Sequence, residues 1–189
     1  MAQRVILVHG LWMRAPVLMY WARGLRKAGF DPVQFSYRSL LQSPETAMRR
    51  LRELVLQQPD SHVLAHSLGG LIAVKALADC PAYTGRIVCV GTPLAGSQVV
   101  RHYAGTALQR LAGGNTGLLS TGLDAIPEGL SVSVIAGTEP LGLGRAADVG
   151  NRRVTNQRVP RPDIEINIGK RLDLVGALKL RREFEEQAE

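Results

Sequence analysis

The stretch Ala65-His66-Ser67-Leu68-Gly69, followed by Gly70, sets a hydroxyl between small residues. A serine that attacks a carbonyl carbon needs that spacing when it sits on a sharp turn from strand to helix. The turn holds the serine in a strained backbone conformation that lifts its hydroxyl above the sheet. The residues two before and two after it then press against adjacent strands, where side chains would clash. The same turn puts the Leu68 amide at a helix N-terminus, where unpaired N–H groups and the helix dipole favour negative charge. An oxyanion formed by attack of Ser67 requires such a donor. The competing reading of Ser67 is a serine that merely caps the helix after it.

A serine hydroxyl also needs a base, and the chain holds 4 histidines. His66 precedes Ser67 on the strand and is expected to face the opposite side. His9 ends an apolar run and reads as a residue that shapes a loop. His62 opens a strand, at the wrong end for the site, and His102 falls in a helical pattern with a solvated face. Cys80 and Cys89 are the 2 cysteines; Cys89, inside "RIVCVG", reads as a small buried hydrophobe. No cysteine and histidine spacing suggests a metal site, and no motif calls for a cofactor.

The elements that must position these residues alternate between strand and helix patterns, which predicts a parallel α/β sheet in a single domain of 189 residues. "RVILVHG" is a continuous apolar run, as in a strand buried on both faces. "LMYWARGLRKAGF" carries Leu18, Trp21, Leu25 and Ala28 at helical spacing, with Gly29 just past the end. "PVQFSYRS" alternates like an edge strand. "SPETAMRRLRELVLQQP" opens with Ser43 as N-cap and Pro44 in the first turn, and buries Ala47, Leu51, Leu54 and Val55. "SHVLAH", "GRIVCVGTP" and "SVSVIAGTEP" are the third to fifth strands, and "PDIEINIGK" is a candidate sixth. "LGGLIAVKALADCP" and "QVVRHYAGTALQRL" are helices, and "LDLVGALKLRREFEEQ" is a closing helix. The glycine-rich segment 112–129 reads as a loop or partial lid.

On "VILVHGLW" (5–12), "VLAHSLGG" (63–70) and "VCVGTPLAGS" (88–97) the chain resembles the α/β-hydrolase superfamily, and within it the small bacterial lipases and esterases. The pieces span the first half of the chain in the family's order. The resemblance implies a minimal single-domain α/β-hydrolase fold over residues 1–189, with a mostly parallel sheet of about six strands flanked by helices. The first and third strands would be central neighbours, with the second outside the first. It further implies Leu11 and Leu68 as the amides of an oxyanion hole. Trp12 would line an apolar acyl pocket or serve as core packing; the residues leave both open.

The family's order is serine, acid, histidine. Asp148, in "Asp148-Val149-Gly150", best matches the acid, although a carboxylate capping a loop or helix fits it nearly as well. Glu139 and Asp124 match less. No histidine follows His102. Lys170 and Arg171 stand where the base is expected; arginine cannot accept a proton at neutral pH, and lysine could only if burial lowered its pKa. Residues 150–189 depart most from the family. A noncatalytic member, a base recruited from elsewhere, or a frame change at the gene's end would each explain that departure.

The expected function is therefore a serine carboxylic-ester hydrolase, acting on a small ester or acyl substrate through an acyl-enzyme on Ser67. The alternative is a noncatalytic binding protein that keeps the pocket, and an acyltransferase would share the same intermediate. A net charge of +7 invites a nucleic-acid reading. The basic residues are scattered over helix faces without aromatic interleaving, so no nucleic-acid partner is expected. No apolar run approaches the roughly 20 residues that cross a bilayer, and the N-terminus lacks a signal peptide's apolar core, so a cytoplasmic location is expected.

Overall fold

The computed structural model describes residues 2–11, 13, 18–97, 100 and 115–135. Five β-strands lie at its centre: β1 (Arg4–Val8), β2 (Asp31–Phe35), β3 (His62–His66), β4 (Arg86–Val90) and β5 (Ser131–Ile135). They form one sheet in the order β2-β1-β3-β4-β5, and every pairing is parallel. β1 and β4 are buried along four of their five residues, as their unbroken apolar runs require. β2 lies at an edge, which suits its mixed burial. The segments 162–170 and 172–187, read as a sixth strand and closing helix, lie outside the described residues, as does nearly all of the helix expected at 98–111.

Successive strand residues face opposite sides, so each face collects its own core. One face takes Ile6, Val63, Ala65, Ile87 and Cys89 and packs them under α2 (Pro44–Leu56) and α3 (Leu68–Leu77). The other takes Val5, Leu7, Leu64 and Val88 under α1 (Met19–Lys27). Each Val, Leu or Ile among them contributes about 1.5–3 kcal/mol when fully buried. α3 is apolar on every side and buries all its residues except Lys75. α1 turns Ala22 and Leu25 fully inward, while Trp21 stays half-buried at the rim.

The ends of α1 and α2 follow the sequence closely. Gly29, at φ +90°, stops α1: its N–H donates to Arg26 O and the Phe30 N–H to Leu25 O, which satisfies carbonyls the helix leaves open. Ser43 starts α2 in extended backbone and accepts the Thr46 N–H at 3.3 Å, with Pro44 as first helical residue.

The segment read as a loop is different. Residues 116–121 form a short helix, α4 (Thr116–Thr121), and Leu118, Leu119, Leu123 and Ile126 are buried in the core beneath it. The Ser97 N–H donates to Leu119 O and the Leu123 N–H to Leu94 O, both at 2.7 Å. Asn115, fully buried, donates from Nδ2 to Ser39 O at 2.6 Å. Within its described part, residues 116–121 are thus a helix fastened to the body of the fold and 122–129 stay turn and loop, because apolar residues recur among the glycines often enough to bury.

The chain runs from β1 outward to β2, then returns past β1 to β3. At such a reversal the crossover segments diverge, and a crevice opens beyond the carboxyl ends of the two central strands.

Candidate functional site

β3 ends on that side of the sheet and turns into α3 at Ser67. Ser67 has φ 51° and ψ −123°, and is the one non-glycine residue with positive φ among the described residues. For a side chain with a Cβ this conformation is strained by about 1–2 kcal/mol. The strain is held from three directions. The Ser67 N–H donates to Val90 O at 3.0 Å, extending the β3–β4 ladder by one step, and Ser67 O accepts the Gly70 N–H at 3.0 Å. Gly69 lies against the end of β1 so closely that a Cβ there would fall 2.6 Å from His9 O and 2.7 Å from Val8 O. A Cβ on Gly70 would strike the Thr92 side chain.

Ser67 is the N-cap residue of α3, yet its hydroxyl makes no capping hydrogen bond. The capping alternative therefore fails at this serine. Ser67 is half-buried at the C-terminal end of β3, while Leu68 is fully buried by its side chain and offers its amide in the first turn of α3.

The loop after β1 reaches the same point. A Cβ on Gly10 would lie 3.0 Å from Ser67 Cβ and 3.1 Å from His66 Nδ1, so only glycine lets the loop approach the turn without displacing it. His9 is fully buried beside it, stacked on Tyr37 with ring centroids 4.4 Å apart and planes 12° apart. His9 Nδ1 is 3.0 Å from Gly10 O, and the Tyr37 N–H donates to His9 Nε2 at 3.4 Å. Those partners define a neutral ring with its proton on Nδ1, and burial lowers its pKa further from any charged state. The Tyr37 hydroxyl donates to His9 O at 2.9 Å, and burial raises the pKa of that phenol. Tyr37 was not singled out from the sequence. Its alternation with Phe35 marks it as inward-facing, but its bonds to His9 join segments far apart in the chain.

His66 lies edge-on to Trp21 with centroids 6.0 Å apart, and burial lowers its pKa. Its Nδ1 is buried without a hydrogen-bond partner among the described residues. His62 sits at the far end of β3, accepting the Arg86 N–H at Nδ1. Burial above all, with the Arg86 charge beside it, lowers its pKa to about 4. Cys89 is fully buried, and desolvation pushes its thiol up to about 12, which fits packing and not nucleophilic attack.

Ser67, Leu68 and the loop bearing Gly10 and Leu11 thus meet. Trp12, His102, Glu139, Asp148, Lys170 and Arg171 lie outside the described residues. Asp124 is exposed on the connection from α4 to β5. Among the described residues no cluster of His, Cys, Asp and Glu could hold a metal ion, and no helix is long and apolar enough to cross a membrane.

No protein-family model matches the sequence, and no curated protein is similar to it. Solved structures are similar in fold. The mature form of the lipase BlEst2 from Bacillus licheniformis superposes with a TM-score of 0.59 at 21% identity, over 73% of this chain and 66% of that one. This is the α/β-hydrolase fold. An N-formylmaleamic acid deformylase from Pseudomonas putida S16 shares it with a TM-score of 0.56 at 16% identity, over 72% of this chain and 74% of its own. A carboxylesterase structure from the thaumarchaeon Nitrososphaera gargenis gives 0.53 at 17% identity, over 73% of both chains.

Proposed function

We propose that the protein is a serine hydrolase of small carboxylic esters. One observation carries the reading: Ser67 is held in the left-handed region at the end of a central strand, with its hydroxyl unused by the helix it precedes. A structural serine has no need of that strain.

In this reading the Ser67 hydroxyl attacks the ester carbonyl and gives up its proton to a base. The carbonyl oxygen becomes an oxyanion, received by the Leu11 and Leu68 amides. Collapse expels the alcohol, which takes the proton, and leaves an acyl-enzyme that water then hydrolyses. Trp12 lines the acyl pocket, and Asp148 is the acid that orients the base. An alcohol or thiol intercepting the acyl-enzyme would make the same site an acyltransferase.

The base is the weak member. His9 is committed at both ring nitrogens, and His62 lies at the other end of its strand. A triad lacking one member retains only about 10³–10⁴-fold catalysis over water, from oxyanion stabilisation and binding. Slow turnover is therefore expected. The same observation favours a second reading, in which the crevice binds an acyl compound without turning it over.

An activated phosphonate with a fluorescent tag separates the two. Labelling that is slow and lost in Ser67→Ala supports the hydrolase. No labelling with retained binding of a short-chain ester supports the binding protein, and labelling that persists in Ser67→Ala removes the serine from the mechanism.

A further inference from the structure

We infer that Tyr37 is a positioning residue for the Leu11 amide, acting through the tautomer and place of His9; the inference rests on the reading of that amide as an oxyanion donor. The peptide unit joining Gly10 to Leu11 is planar and trans, so its C=O and N–H point in opposite directions, and whatever fixes one fixes the other. Gly10 O is fixed twice. The His9 Nδ1–H reaches it at 3.0 Å, and the Met13 N–H reaches it at 3.4 Å across a tight turn. The Leu11 N–H is thereby aimed away from both, on a loop that touches Ser67 through Gly10.

The His9 ring can donate from Nδ1 while neutral only if Nε2 is the acceptor. Tyr37 sets that choice, because its backbone N–H faces Nε2 at 3.4 Å. Its ring holds the imidazole plane by stacking at 12°, and its hydroxyl holds the His9 carbonyl at 2.9 Å. One residue of the loop after β2 therefore grips the backbone, the plane and the protonation pattern of His9. The chain of contacts runs from Tyr37 to His9, to Gly10 O, to the Leu11 N–H. Only the tautomer with its proton on Nδ1 can donate to Gly10 O, and the Tyr37 N–H facing Nε2 favours that one.

The groups facing this ring are Tyr37 from the segment after β2 and the Gly10 backbone from its own loop. Among the described residues no carboxylate is paired with it. Protonation would put a second N–H on Nε2, opposite the Tyr37 N–H, and break the grip.

Three measurements test the inference. Nitrogen NMR of His9 in the unmodified protein is expected to show a neutral ring with the proton on Nδ1; a proton on Nε2 overturns the inference without any substitution. In Tyr37→Phe, which keeps the stack and loses the hydroxyl, hydrogen exchange over residues 10–13 is expected to accelerate about tenfold while β3 and α3 stay protected. Equal acceleration everywhere, or none in the loop, overturns it. Where the phosphonate labels Ser67, Tyr37→Phe is expected to lower the maximal labelling rate about tenfold with half-saturation unchanged, a fraction of the loss seen when an oxyanion donor is removed outright. A change in half-saturation alone overturns it. If exchange and tautomer behave as expected and no form of the protein labels, positioning of the loop stands and the hydrolase reading falls.

Discussion

Among the described helices two begin at a serine N-cap, and the two serines are built in opposite ways. Ser43 begins α2 with φ −65° and ψ 149°, an unstrained extended backbone, and spends its oxygen on the Thr46 N–H. Ser67 begins α3 with φ 51° and ψ −123°, and its hydroxyl caps nothing. At Ser43 the side chain stabilises the helix. At Ser67 the fold stabilises the side chain's position, through the Val90 carbonyl and the close packing of Gly69 and Gly70. The same residue at the same topological place is a fastening in one case and a presented group in the other. What separates them is backbone strain together with what the oxygen does.

The largest effect is expected from breaking the packing that holds the strained serine. Gly69→Ala drives a methyl group into two backbone carbonyls that cannot swing aside, and is expected to cost about 3 kcal/mol in chemical denaturation. A loss below about 0.5 kcal/mol, the range of neutral surface changes, would show that the turn is not sterically held. Next comes the loss of the ordinary cap: Ser43→Ala is expected to destabilise by about 1 kcal/mol, with phosphonate labelling unchanged. The mirror experiment is Ser67→Gly, which relieves the positive φ. It is expected to raise stability by up to about 1 kcal/mol while abolishing labelling, a gain no capping serine would give. If Ser67→Gly destabilises as Ser43→Ala does, the contrast between the two serines disappears.

A separate effect concerns pH at the far end of β3. His62 has a folded pKa of about 4 against an ordinary value of 6.5, so the unfolded chain takes up its proton first. Stability is therefore full above pH 6.5 and declines as pH falls from there towards 4. His9 and His66, also lowered by burial, act in the same direction. His62→Gln is expected to flatten part of that decline in a series of denaturation curves, and an unchanged slope would remove His62 from the pH dependence.

Much of this was legible because the central elements announce themselves locally. β1, β3 and β4 are buried on both faces and read as continuous apolar runs, while Gly29 and Ser43 mark helix ends by chemistry confined to a few residues. The strained turn was legible too, since only small side chains fit around it. α4 was not: it is a short helix among glycines, held by Asn115 and by backbone bonds from Ser97 and Leu123 to distant partners. The grip of Tyr37 on His9 was hidden for the same reason, because nothing near Tyr37 in sequence hints at a histidine just past the end of another strand. The half-burial of Trp21 instead of Ala22 reflects which way α1 rolls on the sheet, a choice made by packing and not by spacing alone.

The strand order has a consequence for the order in which the molecule assembles. β3, α3 and β4 follow one another directly, and their register pairs Val63 with Ile87, whereas β1 must find β3 across the whole of α1, β2 and α2, pairing Val5 with His62. Closing the shorter loop loses less chain entropy, so the β3–α3–β4 crossover is the natural folding nucleus. Substitutions such as Ile87→Val are then expected to slow folding, and Val5→Ala chiefly to speed unfolding. The Ser67 amide finds Val90 inside that nucleus, while the contacts of Gly69 with Val8 and His9 come only when β1 docks. The serine is thus bent early and locked late, and a chain caught between the two steps carries its strain without the strand that holds it in place.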